Sequence, residues 1–115
     1  MPPLNNRIHR TCNSYTRLSY SAIRQRLTDI PEWRLVKRKS TLEARWLLKD
    51  FYSAIRLLVR VESLAKKANH HPDVHLTKYR NLRLQLTTHS ANGLTAVDFI
   101  LAEKISRLPK ELCTP

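Results

Sequence analysis

Four of the five histidines in this 115-residue chain lie between residues 66 and 89. Two of them, His70 and His71, are adjacent and directly precede Pro72. A proline fixes its own φ and disfavours the helical region for the residue before it, so we expect this pair where a helix ends. Histidine titrates near neutral pH and also binds metals, so the cluster indicates a site at a junction between a helix and a strand.

Three uses of these histidines stay open from the residues alone. A metal site would draw on His70, His71 and His75, but adjacent side chains of an extended segment point to opposite sides, and no carboxylate or thiolate is placed to complete the set. Proton transfer near neutral pH is the second use. The third is structural, because a cation is favoured at the C-terminus of a helix. We expect no metal and no cofactor.

The two cysteines, Cys12 and Cys113, lie near opposite ends of the chain and form no CxxC motif. This arrangement predicts neither a zinc site nor a disulfide framework, and it is typical of a reducing compartment. No apolar run is long enough to cross a bilayer, and the first residues lack the apolar core of a secretory signal. The sequence therefore predicts a cytoplasmic protein without membrane contact.

The net charge of +12 is the strongest feature of the composition. Arg7, Arg10 and Arg17 carry three of these charges, so +9 remains on residues 18–115. Such an excess favours association with acidic surfaces, whether nucleic acid, anionic lipid or an acidic protein. The alternative is that the charge only maintains solubility.

The periodicity of apolar residues predicts an α-β-β-α-β-β-α order. The predicted elements are a helix about 19–27, two strands around a basic tip at 37–40, a long helix about 51–68, strands about 74–79 and 82–88, and a helix after Thr95. Short connections between the strands favour an α+β fold, with one four-stranded antiparallel sheet and the helices packed on one face. We expect a basic flexible arm at 1–18, a single domain at 19–110 and a C-terminal tail at 111–115.

The long helix carries two apolar stripes. The first comprises Phe51, Ala54, Ile55, Leu58 and Ala65, and the second comprises Leu57, Val61, Leu64 and Ala68. One stripe suffices to cover a sheet. We therefore predict that the second stripe forms the contact of a homodimer or homotetramer, with an intramolecular core as the alternative.

Several ordered motifs resemble the pterin-4a-carbinolamine dehydratases. The matching residues are His70, His71, Pro72, Tyr79, His89 and Asp98. The likeness extends through "PEWRLV", "KDFYSAI" and "LTTHSANGLTAVDFILAEKI" and covers roughly residues 20–108. It implies the same order of elements and an oligomer of two or four chains.

The reaction of this family removes water from a 4a-hydroxytetrahydropterin and yields a quinonoid dihydropterin. A ring nitrogen loses a proton while the departing hydroxyl gains one, which needs an acid and a base but no cofactor. The resemblance implies that His70, His71 and His89 are the acid, the base and a pterin-orienting group, in an order left open. It places Pro72 and Asp98 in the substrate pocket, although Asp98 also reads as a capping acid three residues after Thr95.

Two positions depart from the family pattern. Lys66 stands where active relatives usually have glutamate, and Val97 stands where arginine is frequent. An ammonium near the histidine pair would disfavour a protonated imidazole, whereas a carboxylate would favour it. These changes predict weak or lost dehydratase activity.

The altered pocket and the basic charge together resemble the divergent members that act as Rubisco assembly factors, including those of α-carboxysomes. This resemblance implies a chaperone-like role in carbon fixation, an acidic protein partner with the Rubisco large subunit as the first candidate, and association with the carboxysome. The alternative is an active 4a-hydroxytetrahydrobiopterin dehydratase. We expect no nucleic-acid partner, because no helix-turn-helix or RNP-like aromatic pattern is present.

Overall fold

The computed structural model describes residues 15–114. Its elements are helix α1 (Tyr20–Leu27), strands β1 (Arg34–Val36) and β2 (Thr41–Leu47), helix α2 (Phe51–Ala68), strands β3 (Asp73–Thr77) and β4 (Asn81–Leu86), a 3₁₀ turn (His89–Ala91) and helix α3 (Ala96–Ser106). The predicted order of helices and strands is confirmed. Strand β3 ends before its predicted boundary because Lys78 and Tyr79 have positive φ angles and turn the chain towards β4.

The four strands form one antiparallel sheet in the order β1-β2-β4-β3. Leu42, Ala44 and Trp46 of β2 are buried on the helix side, as are Leu82 and the other leucines of β4. The residues between them point to the opposite face, which we call the open face, because side chains alternate along a strand. The predicted α+β fold, with its helices packed on one face of the sheet, is confirmed.

The predicted division of α2 into two stripes is wrong. Leu57 and Val61, assigned to a subunit contact, are 0% and 2% exposed and belong to the core. Phe51 and Ile55, assigned to the core, are 44% and 39% exposed, and Val59 is exposed as well. The buried residues Ala54, Leu57, Val61 and Ala65 follow a single i, i+3/i+4 spacing, which the two predicted stripes divided between them.

Both ends of the described chain are attached to the domain. The backbone N–H of Leu18 donates to the carbonyl of Leu94 at 2.8 Å, while residues 1–14 of the predicted arm lie outside the described residues. In the predicted C-terminal tail, the N–H of Cys113 donates to the carbonyl of Leu47 at 2.9 Å. No helix within 15–114 is long and apolar enough to cross a membrane.

Candidate active site

The end of α2 determines where the histidine pair lies. Asn69 follows the last helical residue and adopts a left-handed conformation with φ 50°. Asparagine tolerates this conformation better than most residues, and it is common at helix C-termini. The N–H of His70 then donates back to the carbonyl of Ala65 at 3.1 Å. This turn leads the chain away from the helix axis, so His70 and His71 lie between α2 and the start of β3.

His70 is held by a buried carboxylate. Its Nε2 lies 2.5 Å from Oδ1 of Asp98. The His70 side chain is 12% exposed, whereas that of Asp98 is 0% exposed. Because a carboxylate oxygen accepts hydrogen bonds, Nε2 of His70 carries the hydrogen, which leaves Nδ1 of the neutral ring as the acceptor. Asp98 therefore sets both the orientation and the tautomer of His70.

The second oxygen of Asp98 caps α3. Oδ2 accepts from the backbone N–H of Thr95 at 2.9 Å and from the hydroxyl of Thr88 at 2.7 Å. The hydroxyl oxygens of Thr88 and Thr95 lie 2.9 Å apart. The two interpretations of Asp98, as a capping acid and as a residue of the site, are thus compatible, because each uses a different oxygen. This network joins the end of α2 to the start of α3.

The three predicted catalytic histidines line one cleft. Its volume is about 350 Å³. The residues that line it are Tyr15, Asn69, His70, His71, Thr87, Thr88, His89 and Ser90. Asp98 does not line this cleft, so any influence of Asp98 on a ligand there would be exerted through His70.

The other predicted site residues lie outside this cleft. Lys66 and Pro72 line a separate groove of about 400 Å³ between α2 and β3, together with the exposed His71, which borders both. Val97 is half-buried in the first turn of α3 and lines neither space. His75, considered above as a metal ligand, lines a different cleft on the open face. Across residues 15–114, no group of three or more histidine, cysteine, aspartate or glutamate side chains is arranged to hold a metal ion.

Thr88 is the main residue of this site that the sequence did not identify. It is 4% exposed and donates to Asp98, ten residues away. Its backbone pairs with that of Gly93, which closes the loop that carries His89. Only its position beside a histidine could have drawn attention to it, because a threonine at the end of a strand has no distinctive local pattern.

Comparisons with known sequences agree on one protein family. Residues 16–108 match the family model of pterin 4 alpha carbinolamine dehydratase. A protein of Roseiflexus sp. (strain RS-1), named "Putative pterin-4-alpha-carbinolamine dehydratase", is 41% identical over 81% of this chain and 97% of its own length. The mitochondrial pterin-4-alpha-carbinolamine dehydratase 2 of Arabidopsis thaliana is 37% identical over 74% of this chain, and the match spans 46% of that protein.

Two solved structures resemble the chain. The transcriptional coactivator/pterin dehydratase of Brucella melitensis has a TM-score of 0.74 and 28% identity, over 79% of this chain and 96% of that one. A pterin dehydratase-like protein identified as a RuBisCO assembly factor in the alpha-carboxysome has a TM-score of 0.55 and 13% identity, over 64% and 84%. The second likeness shows the fold alone. On the match over residues 16–108, the chain belongs to the pterin 4 alpha carbinolamine dehydratase family.

Proposed function

We propose that this protein dehydrates 4a-hydroxytetrahydropterins. The observation that carries the proposal is the cleft shared by His70, His71 and His89, in which a buried carboxylate orients His70. Its volume of about 350 Å³ lies within the range of about 300–1,000 Å³ that is usual for small-molecule sites. Polar groups of Asn69 and Ser90 at its border suit a flat heterocycle with several hydrogen-bonding atoms.

The reaction needs one proton acceptor and one proton donor. In our proposal Nδ1 of His70 takes the proton of the pterin ring nitrogen, while Asp98 holds the opposite nitrogen of the imidazole. His89 protonates the hydroxyl as the bond between C4a and oxygen breaks, and water leaves. His71 orients the pterin. His70 gains a proton and His89 loses one, so each turnover is completed when His70 releases its proton to solvent and the exposed His89 takes one up.

The position of Lys66 supports this choice over the inactive pocket that the sequence alone favours. Lys66 lines the groove beside α2 and not the cleft that contains His70 and His89. The acidic partner of His70 is Asp98, which is retained. The exchange of glutamate for lysine therefore does not remove the carboxylate that orients the imidazole.

The test is a turnover assay with 4a-hydroxytetrahydropterin, in which the uncatalysed rate is subtracted. We expect turnover by the wild type and a loss of roughly 10²-fold or more in His70→Ala and His89→Ala, as is usual for acid–base groups. His75→Ala is the matched control, because it removes a histidine that lines a different cleft. Equal losses in all three variants would contradict the assignment.

The charge of the chain favours a second candidate role. An excess of +9 on residues 18–115 suits an acidic macromolecule better than a small pterin. The Rubisco large subunit is the first partner to test, because a protein with this fold is described as a RuBisCO assembly factor in the alpha-carboxysome. In this role the chain would act as a homodimer or homotetramer associated with carboxysomes.

The test is a pull-down from a cell lysate with the purified protein. We expect it to capture the Rubisco large subunit, and we expect this capture to weaken as the salt concentration rises. Recovery of nucleic acid instead, abolished by nuclease, would contradict a protein partner.

A further inference from the structure

A row of basic side chains crosses the open face of the sheet. Arg45 of β2 lies directly opposite Arg83 of β4, and Arg83 lies directly opposite His75 of β3. Neighbouring strands are about 4.8 Å apart, so this row, from Arg45 to His75, spans about 10 Å. Like charges directly opposite each other on adjacent strands are destabilising. The pairing of Arg45 with Arg83 therefore disfavours the fold unless an anion binds beside them.

Arg83 is the unneutralised member of this row. It is half-buried, and within residues 15–114 no hydrogen bond or ion pair involves its side chain. Arg45 uses only its Nε, which donates to Oε2 of Glu43 at 2.9 Å, and its side chain is 60% exposed. Each guanidinium has five N–H donors in a planar fork that matches a carboxylate. Most donors of the row are therefore available to a ligand.

Glu43 on the neighbouring row does not neutralise Arg83. Its oxygens accept hydrogen bonds from Gln85 at 2.7 Å, Arg45 at 2.9 Å and Arg34 at 3.2 Å. Burial raises the pKa of Glu43, but the hydrogen bonds from Gln85, Arg45 and Arg34 outweigh burial and lower the pKa to about 2. Glu43 is thus charged and already satisfied by other donors.

The row borders a cleft of about 530 Å³. Lys78 and Leu47 line it as well, and within residues 15–114 no carboxylate does. Leu47 is 43% exposed, so an apolar contact is available beside the cations. The cleft therefore combines positive charge with a small apolar surface.

We propose that this row binds an acidic segment of a partner protein, with carboxylates at the arginines and an apolar side chain at Leu47. The choice of a protein partner rests on the second proposed role and not on the dehydratase activity. A nucleic-acid strand fits less well, because the exposed Leu47 offers an apolar contact that a peptide side chain can fill and a phosphate backbone cannot. Trp46 lines the cleft but is buried in the core, so it presents no ring for base stacking.

The test measures fluorescence anisotropy of a labelled oligoglutamate peptide that contains one leucine. We expect Arg83→Gln to weaken binding about tenfold, which is about 1.4 kcal/mol. Arg60→Gln is the matched control, because it removes the same charge from an exposed position on α2. It should change affinity less than twofold. Arg83→Lys should give an intermediate loss, since it keeps the charge but not the planar fork.

Thermal unfolding accompanies each titration. Arg83→Gln should be at least as stable as the wild type, because the repulsion with Arg45 is removed. Equal weakening by Arg83→Gln and Arg60→Gln would mean attraction by net charge alone and would overturn the proposal. An absence of peptide binding to the wild type would also overturn the proposal. The same holds if a labelled oligothymidylate binds more tightly than the peptide and loses affinity in Arg83→Gln.

Pterin turnover separates this proposal from the dehydratase function. The cleft with the basic row and the histidine cleft share no lining residue. Arg83→Gln should therefore keep the wild-type turnover while it loses peptide affinity. A parallel loss of turnover and affinity would show that the row is not a separate site.

Discussion

Replacement of Asp98 by asparagine should separate the chemistry of the site from its stability. The carboxylate of Asp98 faces three donors, the Nε2–H of His70, the hydroxyl of Thr88 and the backbone N–H of Thr95. A carboxamide of the same shape has one acceptor oxygen and two N–H donors. If that oxygen stays with Thr88 and Thr95, the new NH₂ group faces His70. The imidazole must then present Nε2 as an acceptor, which is the wrong tautomer for the proposed base.

The energetic cost follows from the number of donors affected. Asp98→Asn loses one charge-assisted contact in a buried site, for which we expect about 1.5–3 kcal/mol of unfolding free energy. Asp98→Ala also removes the cap of α3 and leaves three donors without an acceptor, for which we expect roughly 3–5 kcal/mol. A domain of this size is stable by about 5–15 kcal/mol, so the asparagine variant should stay folded.

The assay combines urea unfolding, pterin turnover and ¹⁵N NMR of the His70 ring. We expect kcat of Asp98→Asn to fall at least tenfold with little change in KM, because Asp98 does not line the cleft. The NMR spectrum should show the hydrogen moved from Nε2 to Nδ1. Thr88→Val is the control, since it loses a buried hydrogen bond but keeps the contact between His70 and Asp98, and it should lower kcat less than threefold. Wild-type kcat in a folded Asp98→Asn variant would refute the orienting role.

Three further predictions concern stability, assembly and the pocket. The pKa of Glu43 is lowered from 4.5 to about 2, so the carboxylate stabilises the fold above pH 4.5, and this contribution disappears as pH falls to about 2. Because Arg34 and Arg45 are exposed and screened, we expect this carboxylate to contribute about 2 kcal/mol to the free energy of unfolding. Urea unfolding should show that difference between the wild type and Glu43→Gln at neutral pH, and the difference should vanish near pH 2. If the exposed side of α2 forms a subunit contact, Val59→Glu should stay folded and have a lower mass by light scattering. Val61→Glu should instead unfold the chain, because Val61 is buried in the core. An unchanged mass for Val59→Glu would exclude that contact. Lys66→Glu should change kcat less than threefold, because Lys66 lines the other groove, and a gain above tenfold would instead indicate a pocket disabled by charge.

The strands and their faces could be predicted because their signal is local. Alternation of Leu42, Ala44 and Trp46 with polar residues places one side of β2 in the core whatever its partners are. In helix α2 the exposed apolar residues Phe51, Ile55 and Val59 obscured the regular spacing of the buried residues. The orientation of the helix depends on how the sheet accommodates Leu57 and Val61, which are distant in sequence from the strands.

The candidate site could be predicted only as a set of residues. His70 and Asp98 are 28 residues apart, and their contact depends on the left-handed turn at Asn69 and on the cap of α3. Their spacing in the sequence does not show that these two side chains are in contact. The open-face row has the same origin, because the pairing of Arg45 with Arg83 follows from the register of β2 against β4.

The most direct test of the dehydratase proposal is a stopped-flow measurement with 4a-hydroxytetrahydropterin and excess protein. We expect the wild type to accelerate loss of the 4a-hydroxyl over the rate in buffer, and we expect His70→Ala to abolish this acceleration while His75→Ala preserves it. A wild-type rate equal to the rate in buffer, from folded protein, would contradict the proposal.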